Sequence, residues 1–483
     1  MIRREVNNQI SDIDKKILDE LNELPENFWD FKESDTTEMV HGIHTYPAMM
    51  IYPISRNILN IVKKYKKIES ILDPFSGSGT VLVEGVLAGI KNVYGNDLNP
   101  LARLLTKVKT TKLDMELLNI CIDSLKESLS QKYDIYSKFI YEINSYFSED
   151  LRMDITSKND WGCDAPKYLR RYYNNNAINL NVPNFKNIGF WFKPRVILEL
   201  EIIKEEIMKI NNIDIKDFLL VAFSETIRLV SNRRNGEFKM YRMPPIKVEK
   251  FNPDVKKEFL NILDRNVNKY IKYNKKIIKN NPNCNVSIYD DDASKLNKIH
   301  DDSIDIVITS PPYGDSKTTV AYGEFSRLSL QWLNLYGIDE LKIKSIDKEL
   351  MGGKKYNNGF DNNINSNTLK ESLEKISRVD IKRAGDVYSF YYDLDKIIKK
   401  VAEKMKKDSY QFWIVGNRTV KGENLKTDVI IKELASNYGL TYLCTIDRNI
   451  LNKVMPSKNS PSNKVGEKVT TMTNEHIILL KKW

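Results

Sequence analysis

Residues 68 to 80 read Ile68-Glu69-Ser70-Ile71-Leu72-Asp73-Pro74-Phe75-Ser76-Gly77-Ser78-Gly79-Thr80. The apolar run up to Leu72 predicts a strand, the two glycines a tight loop, and Val81 to Gly89, apolar at helical spacing, a helix. Gly77 and Gly79 let the backbone turn sharply and approach a ligand, and Thr80 with the helix start offers N–H groups to an anion or carboxylate. A second strand, Asn92 to Gly95, leads to Asp97, about 20 positions past the glycines, where doubly wound sheets grip a ribose diol. Two later apolar runs also end in polar residues: Asn285 to Tyr289 runs into Asp290-Asp291-Asp292-Ala293, and Asp305 to Thr309 into Ser310-Pro311-Pro312-Tyr313. Strand C-termini on one edge of a parallel sheet line a common crevice, so Asp73, Asp97, Asp292 and Ser310 are expected around one cleft. A dinucleotide-binding loop fits less well, because Leu82 stands where its third glycine belongs and Asp73-Pro74-Phe75 is not its signature.

Asp73 to Thr80 matches in full the motif Asp-Pro-Phe-x-Gly-x-Gly-Thr, and here the chain resembles the S-adenosylmethionine-dependent DNA amino-methyltransferases. Ser310-Pro311-Pro312-Tyr313 matches that family's catalytic signature in its N4-cytosine form. The resemblance implies that Asp73, Phe75, Gly77, Gly79 and Thr80 line the site of S-adenosyl-L-methionine and that Asp97 holds its ribose. It also implies that Asp292 and Ala293 contact its adenine, with Asp290 and Asp291 as alternative registers. Upstream, His44-Thr45-Tyr46-Pro47-Ala48 is similar to the family's preceding cofactor motif, with Met49 in place of a lysine. It reads either as a cofactor contact through His44, Tyr46 and Pro47 or as an aromatic-proline turn beneath the sheet.

The catalytic residue types suit transfer to an exocyclic amino group. Such a nitrogen has its lone pair delocalised into the base and becomes nucleophilic when acceptors around the NH2 weaken that conjugation. The Ser310 hydroxyl and the following proline carbonyl can accept those hydrogens. Tyr313 can stack on a flipped base. Attack at cytosine C5 would need a nucleophilic cysteine, normally after a proline. None of Cys121, Cys163, Cys284 and Cys444 follows one, and their wide spacing suits neither zinc nor a disulfide framework, so they read as reduced thiols.

The expected fold class is α/β, a Rossmann-like methyltransferase with a mixed, mostly parallel doubly wound sheet, a large mainly helical insertion and a target-recognition region. The chain divides into an N-terminal extension (1–40), a cofactor-binding part (41–110), an insertion (111–284) and a catalytic part (285–483). Val196 to Ile210 and Ile213 to Leu229 carry helical periodicity. Asn159 to Asn187 and Ser345 to Asn367, rich in asparagine, glycine and lysine, read as loops. DNA recognition is expected in about 125–190 and 314–385. Within Ser231 to Pro245, Arg233, Arg234, Lys239 and Arg242 alternate with aromatics, as phosphate and base contacts require, although a solvated basic loop would look the same. The tail returns to alternating helix and strand: Val387 to Met405, Tyr410 to Val415, Thr427 to Tyr438, Leu440 to Asp447 and His476 to Lys481.

Bulk properties agree with a nucleic-acid partner. The 483 residues carry a net charge of +10 with 41% hydrophobic and 29% charged residues, and no apolar run approaches the roughly 20 residues of a membrane span. No export signal is visible, so a cytoplasmic protein is expected. The reading is a duplex-DNA methyltransferase forming N4-methylcytosine by base flipping, accompanied by a restriction endonuclease or related defence partner. Adenine N6 and RNA are the alternative substrates, and a catalytically dead DNA-binding relative the third reading. Against RNA, residues 1 to 40 are too short and acidic to form an RNA-binding domain; against a dead relative, the tetrapeptide is intact.

Overall fold

A computed structural model describes residues 2–4, 10–280, 283–315, 319–355, 364–450, 458–459, 469–470 and 474–483. Its main sheet has eight strands: β1 (Ile2–Arg4), β2 (Ser70–Asp73), β3 (Asn92–Asn96), β4 (Asn285–Tyr289), β5 (Ile304–Thr309), β6 (Met405–Val415), β7 (Leu440–Asn449) and β8 (Asn474–Lys482). Their spatial order is β1-β7-β8-β6-β5-β2-β3-β4. The strands β4, β3, β2, β5 and β6 run parallel, whereas β8 is antiparallel to both β6 and β7, and β1 is antiparallel to β7. This is the mixed, mostly parallel sheet expected from the sequence. The chain winds outward from β2 through β3 to β4, then returns to β5 on the other side of β2. A crevice opens at such a reversal, outside the C-terminal strand ends.

Both faces of the sheet are covered, which is why β5 is buried along its whole length rather than alternating. Side chains still divide by face. Tyr410, Phe412 and Ile414 of β6 join the core layer that also holds helices Asp12–Glu23 and Tyr52–Tyr65 and the helices connecting β3 to β4. Trp413 and Val415 enter the opposite layer, beneath helices Ile381–Lys404 and Thr427–Ser436.

The β3–β4 connection is mainly helical: Pro100–Thr110, Met115–Ile135, Ser137–Ser145, Trp161–Asn175, Pro194–Met208, Ile213–Val230 and Val255–Asn280 are its longer helices. The two helices expected around 196–210 and 213–229 are present, as are the helices and strands expected in the tail. The loop expected over Asn159–Asn187 is instead partly helix, Trp161–Asn175. Its Trp161, Ala165, Leu169, Tyr172 and Tyr173 recur at helical spacing and are buried, and Trp161 Nε1 donates to Phe192 O at 2.9 Å. Burying a large apolar side chain contributes roughly 2 to 3 kcal/mol, whereas an asparagine costs a helix at most about 0.7 kcal/mol. Packing therefore overrides composition. Of Ser345–Asn367, the first residues complete helix Glu340–Glu349, the last opens helix Asn367–Val379, and residues 356–363 lie outside the described residues.

The N-terminal segment is tied to the sheet. Helix Asp12–Glu23 starts in a capping box made by Ser11 and Asp14. The buried Asp14 carboxylate also accepts from Lys481 Nζ of β8 at 2.9 Å and from the Tyr410 hydroxyl of β6. Among the described residues no helix is long and apolar enough to cross a membrane.

Candidate active site

The loop after β2 lies where the sequence reading places it. Gly77 (φ 49°) and Gly79 (φ 85°) both sit in the left-handed region. A Cβ on Gly79 would come within 2.9 Å of Thr106 Oγ1 and Cγ2, so this glycine lets the loop close on helix Pro100–Thr110. The loop borders a cavity of about 340 Å³ at the C-terminal strand ends. Asp73, Asp97, Asp292 and Ser310, from the ends of four strands, all line it.

Hydrogen bonds hold those strand ends in register. The Asp97 carboxylate accepts from Gly77 N at 2.9 Å and Asn99 N at 2.8 Å, joining the end of β3 to the glycine loop. Asn96 donates through Nδ2 to Asp291 O and accepts from Asp291 N, both at 3.0 Å, which fixes the turn after β4. The three aspartates of that turn face different ways: Asp290 faces out and pairs with Lys298, the Asp291 carboxylate accepts from backbone amides within the turn, and Asp292 reaches the cavity with Ala293. Asp73 accepts from Thr309 Oγ1 at 2.7 Å, linking β2 to β5, and from Phe75 N at 3.1 Å.

The electrostatics favour a cationic ligand. Burial pushes the Asp73 carboxyl up to about 7, only partly offset by its bonds from Thr309 and Phe75, and burial raises Asp97 as well. Neither makes an ion pair among the described residues. A buried carboxylate without a counter-ion is costly and gains from an arriving positive charge. Ser78, also on the wall, has a buried hydroxyl without a hydrogen-bond partner.

Other expected residues divide between wall and scaffold. Tyr46, Pro47, Phe75, Gly77 and Thr80 line the cavity; Gly79 does not. His44 is not on the wall either. It is buried, with Nδ1 donating to Thr45 O at 2.6 Å and Nε2 3.0 Å from Ser224 Oγ, and burial pushes it down to about 4, leaving a neutral ring that ties the segment to helix Ile213–Val230. The Tyr46 hydroxyl accepts from Asn99 Nδ2 at 3.1 Å. Asn99 also donates to Ser326 Oγ at 2.7 Å, joining this segment to helix Tyr322–Leu333, whose first residue is on the wall. The far wall has no local sequence signal: Leu350 and Met351 follow helix Glu340–Glu349, and Lys396 and Ile397 project from helix Ile381–Lys404.

Of the catalytic tetrapeptide, Ser310 and Pro312 border the cavity, whereas Pro311 is buried and Tyr313 lies behind the wall. Ser310 Oγ donates to the Tyr313 hydroxyl at 3.4 Å, and that hydroxyl donates to Glu475 Oε1 of β8 at 2.9 Å. Arg448 of β7 pairs with the other Glu475 oxygen and donates to Trp29 O at 2.8 Å. The expected base-stacking face of Tyr313 is thus accompanied by a hydroxyl committed to the protein. A Cβ on Gly314 would overlap the Arg418 guanidinium, 1.9 Å from its nearest nitrogen, so any other residue after the tetrapeptide would have to displace Arg418.

The four expected DNA-binding cations do not form one exposed set. Arg233 is buried, 3% exposed, donating to Arg228 O and Glu237 O. Arg242 donates to Phe190 O at 2.7 Å and Thr156 O at 2.6 Å and stacks on Phe190. Both arginines build a hairpin, and their exposure to phosphate is corrected accordingly. Arg234 is exposed and Lys239 partly so.

Comparison with known proteins identifies what this cavity belongs to. Type II methyltransferase M.MvaI of Kocuria varians is 40% identical over 485 residues, covering 98% of this chain and 98% of that protein. The chain belongs to the type II DNA methyltransferases. A family model described as "RMKL-like, methyltransferase domain" matches residues 44–133, from the His44 segment through the glycine loop and Asp97. More distant similarities are to type II methyltransferase M.MjaII of Methanocaldococcus jannaschii, 25% identical over 44% of each chain, and M.BsoBI of Geobacillus stearothermophilus, 23% identical over 60% of this chain and 52% of that one. This type II methyltransferase is therefore a modification enzyme that acts on DNA with S-adenosylmethionine as methyl donor. The cavity fits that donor: about 340 Å³ is in the range of small-molecule sites, and the carboxylates of buried Asp73 and half-buried Asp97, neither in an ion pair among the described residues, suit a molecule carrying a sulfonium, an ammonium and a ribose diol.

Proposed function

We propose that this enzyme methylates the N4 amino group of cytosine in duplex DNA, acting on a flipped base, as the modification partner of a restriction endonuclease. The observation that carries the amino-transfer reading is the direction of the hydrogen-bond chain Ser310 to Tyr313 to Glu475. With the Tyr313 hydroxyl donating to Glu475, its oxygen can take the Ser310 proton, and a serine donating in that direction keeps its lone pairs for a substrate NH2. The Pro311 carbonyl is the second acceptor. Two acceptors draw the amino nitrogen out of conjugation and hold it against the cavity. When bound, S-adenosylmethionine supplies an electrophilic methyl group on sulfur. Asp97 holds its ribose, and Asp292 with Ala293 and the Phe75 ring flank its adenine. The protein contributes position and electrostatics, with no covalent step.

Cytosine is favoured over adenine because the acceptor at the first tetrapeptide position is the neutral Ser310, the residue that accompanies cytosine in the family resembled. The test is mass spectrometry of nucleosides from DNA methylated in vitro, with tRNA as a parallel substrate. N4-methylcytosine is expected. N6-methyladenine as sole product would overturn the base assignment, 5-methylcytosine the amino-transfer chemistry, and transfer to tRNA alone the duplex-DNA substrate.

Asp73 gives cofactor binding a pH dependence. Its folded value is raised to about 7 from an ordinary 3.8, so the native state keeps a proton that the unfolded chain loses. Stability falls as pH rises through that window, and the cost is complete above about 7. A cation in the cavity favours the carboxylate and expels the proton. Affinity for S-adenosylmethionine is expected to rise up to about tenfold per pH unit below neutrality and to level off above it. Calorimetry in buffers of different ionisation enthalpy should detect proton release near neutral pH. An Asp73→Asn variant with an unchanged profile would assign the dependence elsewhere.

A further inference from the structure

The hairpin built on Arg233 and Arg242 carries exposed aromatic rings at its tip. Arg233 and Arg242 face each other as an antiparallel bridge, closed by Arg234 N to Tyr241 O at 2.7 Å and Met243 N to Asn232 O at 2.8 Å. With its cations bound to backbone carbonyls, the base of the hairpin is rigid. Its tip leaves Phe238 47% and Tyr241 50% exposed, Phe238 between Arg234 and Lys239 and Tyr241 two residues past Lys239; Arg234 lies 3.4 Å from the Glu237 carboxylate at the surface, and Lys247 and Lys250 are exposed just beyond. Large apolar side chains are usually exposed singly on a surface; two aromatics with cations between and beside them on one rigid tip are not that pattern.

The tip is also docked beside the active site. Met240 N donates to Glu324 Oε1 at 2.7 Å, and the Phe238 ring lies 6.0 Å from Phe325. Both partners are in the first turn of helix Tyr322–Leu333, whose Tyr322 lines the cavity with Ser310 and Pro312. The Asp347 carboxylate accepts from Gly323 N and Glu324 N at 2.8 and 2.9 Å, so that turn is fixed.

We propose that this tip is a duplex-DNA contact in which Phe238 and Tyr241 enter the base stack beside the target and hold open the space it vacates, while Arg234 and Lys239 meet the flanking phosphates. The proposal rests on the base-flipping reading above. Removing a base from the stack is unfavourable, and an aromatic face can replace the lost stacking without reading sequence. The occupant is duplex DNA rather than a protein because the cations alternate with the rings, as a phosphate backbone and bases alternate along a strand.

The test uses the full-length enzyme, a short duplex bearing the site found by sequencing methylated DNA, and 2-aminopurine in place of the target base. Wild-type enzyme with S-adenosylhomocysteine is expected to raise the probe's fluorescence. The Phe238→Ala/Tyr241→Ala variant is expected to lose most of that rise and about tenfold in turnover. A mismatch at the target, which makes extrusion cheap, should restore turnover, and affinity for S-adenosylhomocysteine should be unchanged, certifying the fold. Full fluorescence and turnover in the variant would overturn the tip's role while leaving base flipping intact. An active wild-type enzyme that gives no fluorescence rise would overturn base flipping and this proposal together. Loss of turnover that the mismatch does not restore would refute stack-holding.

Discussion

Replacing Ser310 by alanine is expected to lower methyl transfer about a hundredfold while leaving affinity for S-adenosylmethionine within about threefold of wild type. The side chain is on the cavity wall, with its hydroxyl 3.4 Å from that of Tyr313. In the proposed mechanism the substitution removes an acceptor for the substrate amino group, a contact that strengthens as the nitrogen pyramidalises. A contact of that kind appears in kcat and not in ground-state binding. Tyr313→Phe should behave as a milder version, because it keeps a ring behind the wall and breaks the link to Glu475. Single-turnover kinetics with calorimetric cofactor affinity separate the two quantities. A Ser310→Ala enzyme with normal turnover would remove Ser310 from the chemistry.

Asp97→Ala is expected to weaken cofactor binding by at least about a hundredfold. A carboxylate has roughly four lone-pair sites, and Asp97 spends two on Gly77 N and Asn99 N. The rest are available to a ribose diol, and each charge-assisted bond is worth about 1.5 to 3 kcal/mol. The alanine variant also frees the two backbone amides, so its glycine loop should lose order. Asp97→Asn keeps an acceptor and should fall between the variants. Calorimetry measures the affinities, and thermal melting without ligand reports how much of the loss is loop order. Unchanged affinity in Asp97→Ala would take this residue out of the site.

The central architecture and much of the cavity were readable because their residues are contiguous in the chain. Asp73 to Thr80 and Asp305 to Tyr313 each carry strand, turn and polar terminus within a few positions, so local physics specifies them. Gly79 and His44 were harder: a motif preserves residues that shape a site as readily as residues that touch its ligand, and only packing against Thr106 and Ser224 separates the roles. For Arg233 and Arg242 the sequence displays charge but not the carbonyls of Arg228, Phe190 and Thr156 that absorb it. The wall formed by Met351 and Ile397 had no local pattern at all, since it exists only once helices distant in sequence pack on the sheet. The turn carrying the three aspartates after β4 is held by Asn96, almost 200 residues upstream.

The placement of the helical segment between β3 and β4 bears on how the enzyme comes into being on the ribosome. Asp97 leaves the exit tunnel long before Asp292 and Ser310, by about 10 to 40 s at ordinary elongation rates of roughly 5 to 20 residues per second. Until then β2 and β3 are paired with each other only, and β3 waits for a partner whose pairing Asn92↔Asn285 to Asn96↔Tyr289 spans the whole helical segment. A nascent chain that has made Asp97 therefore still lacks the half of the cavity wall carrying Asp292 and Ser310. Competence to modify DNA arrives late in synthesis, when β4 and β5 close on both sides of the ribbon.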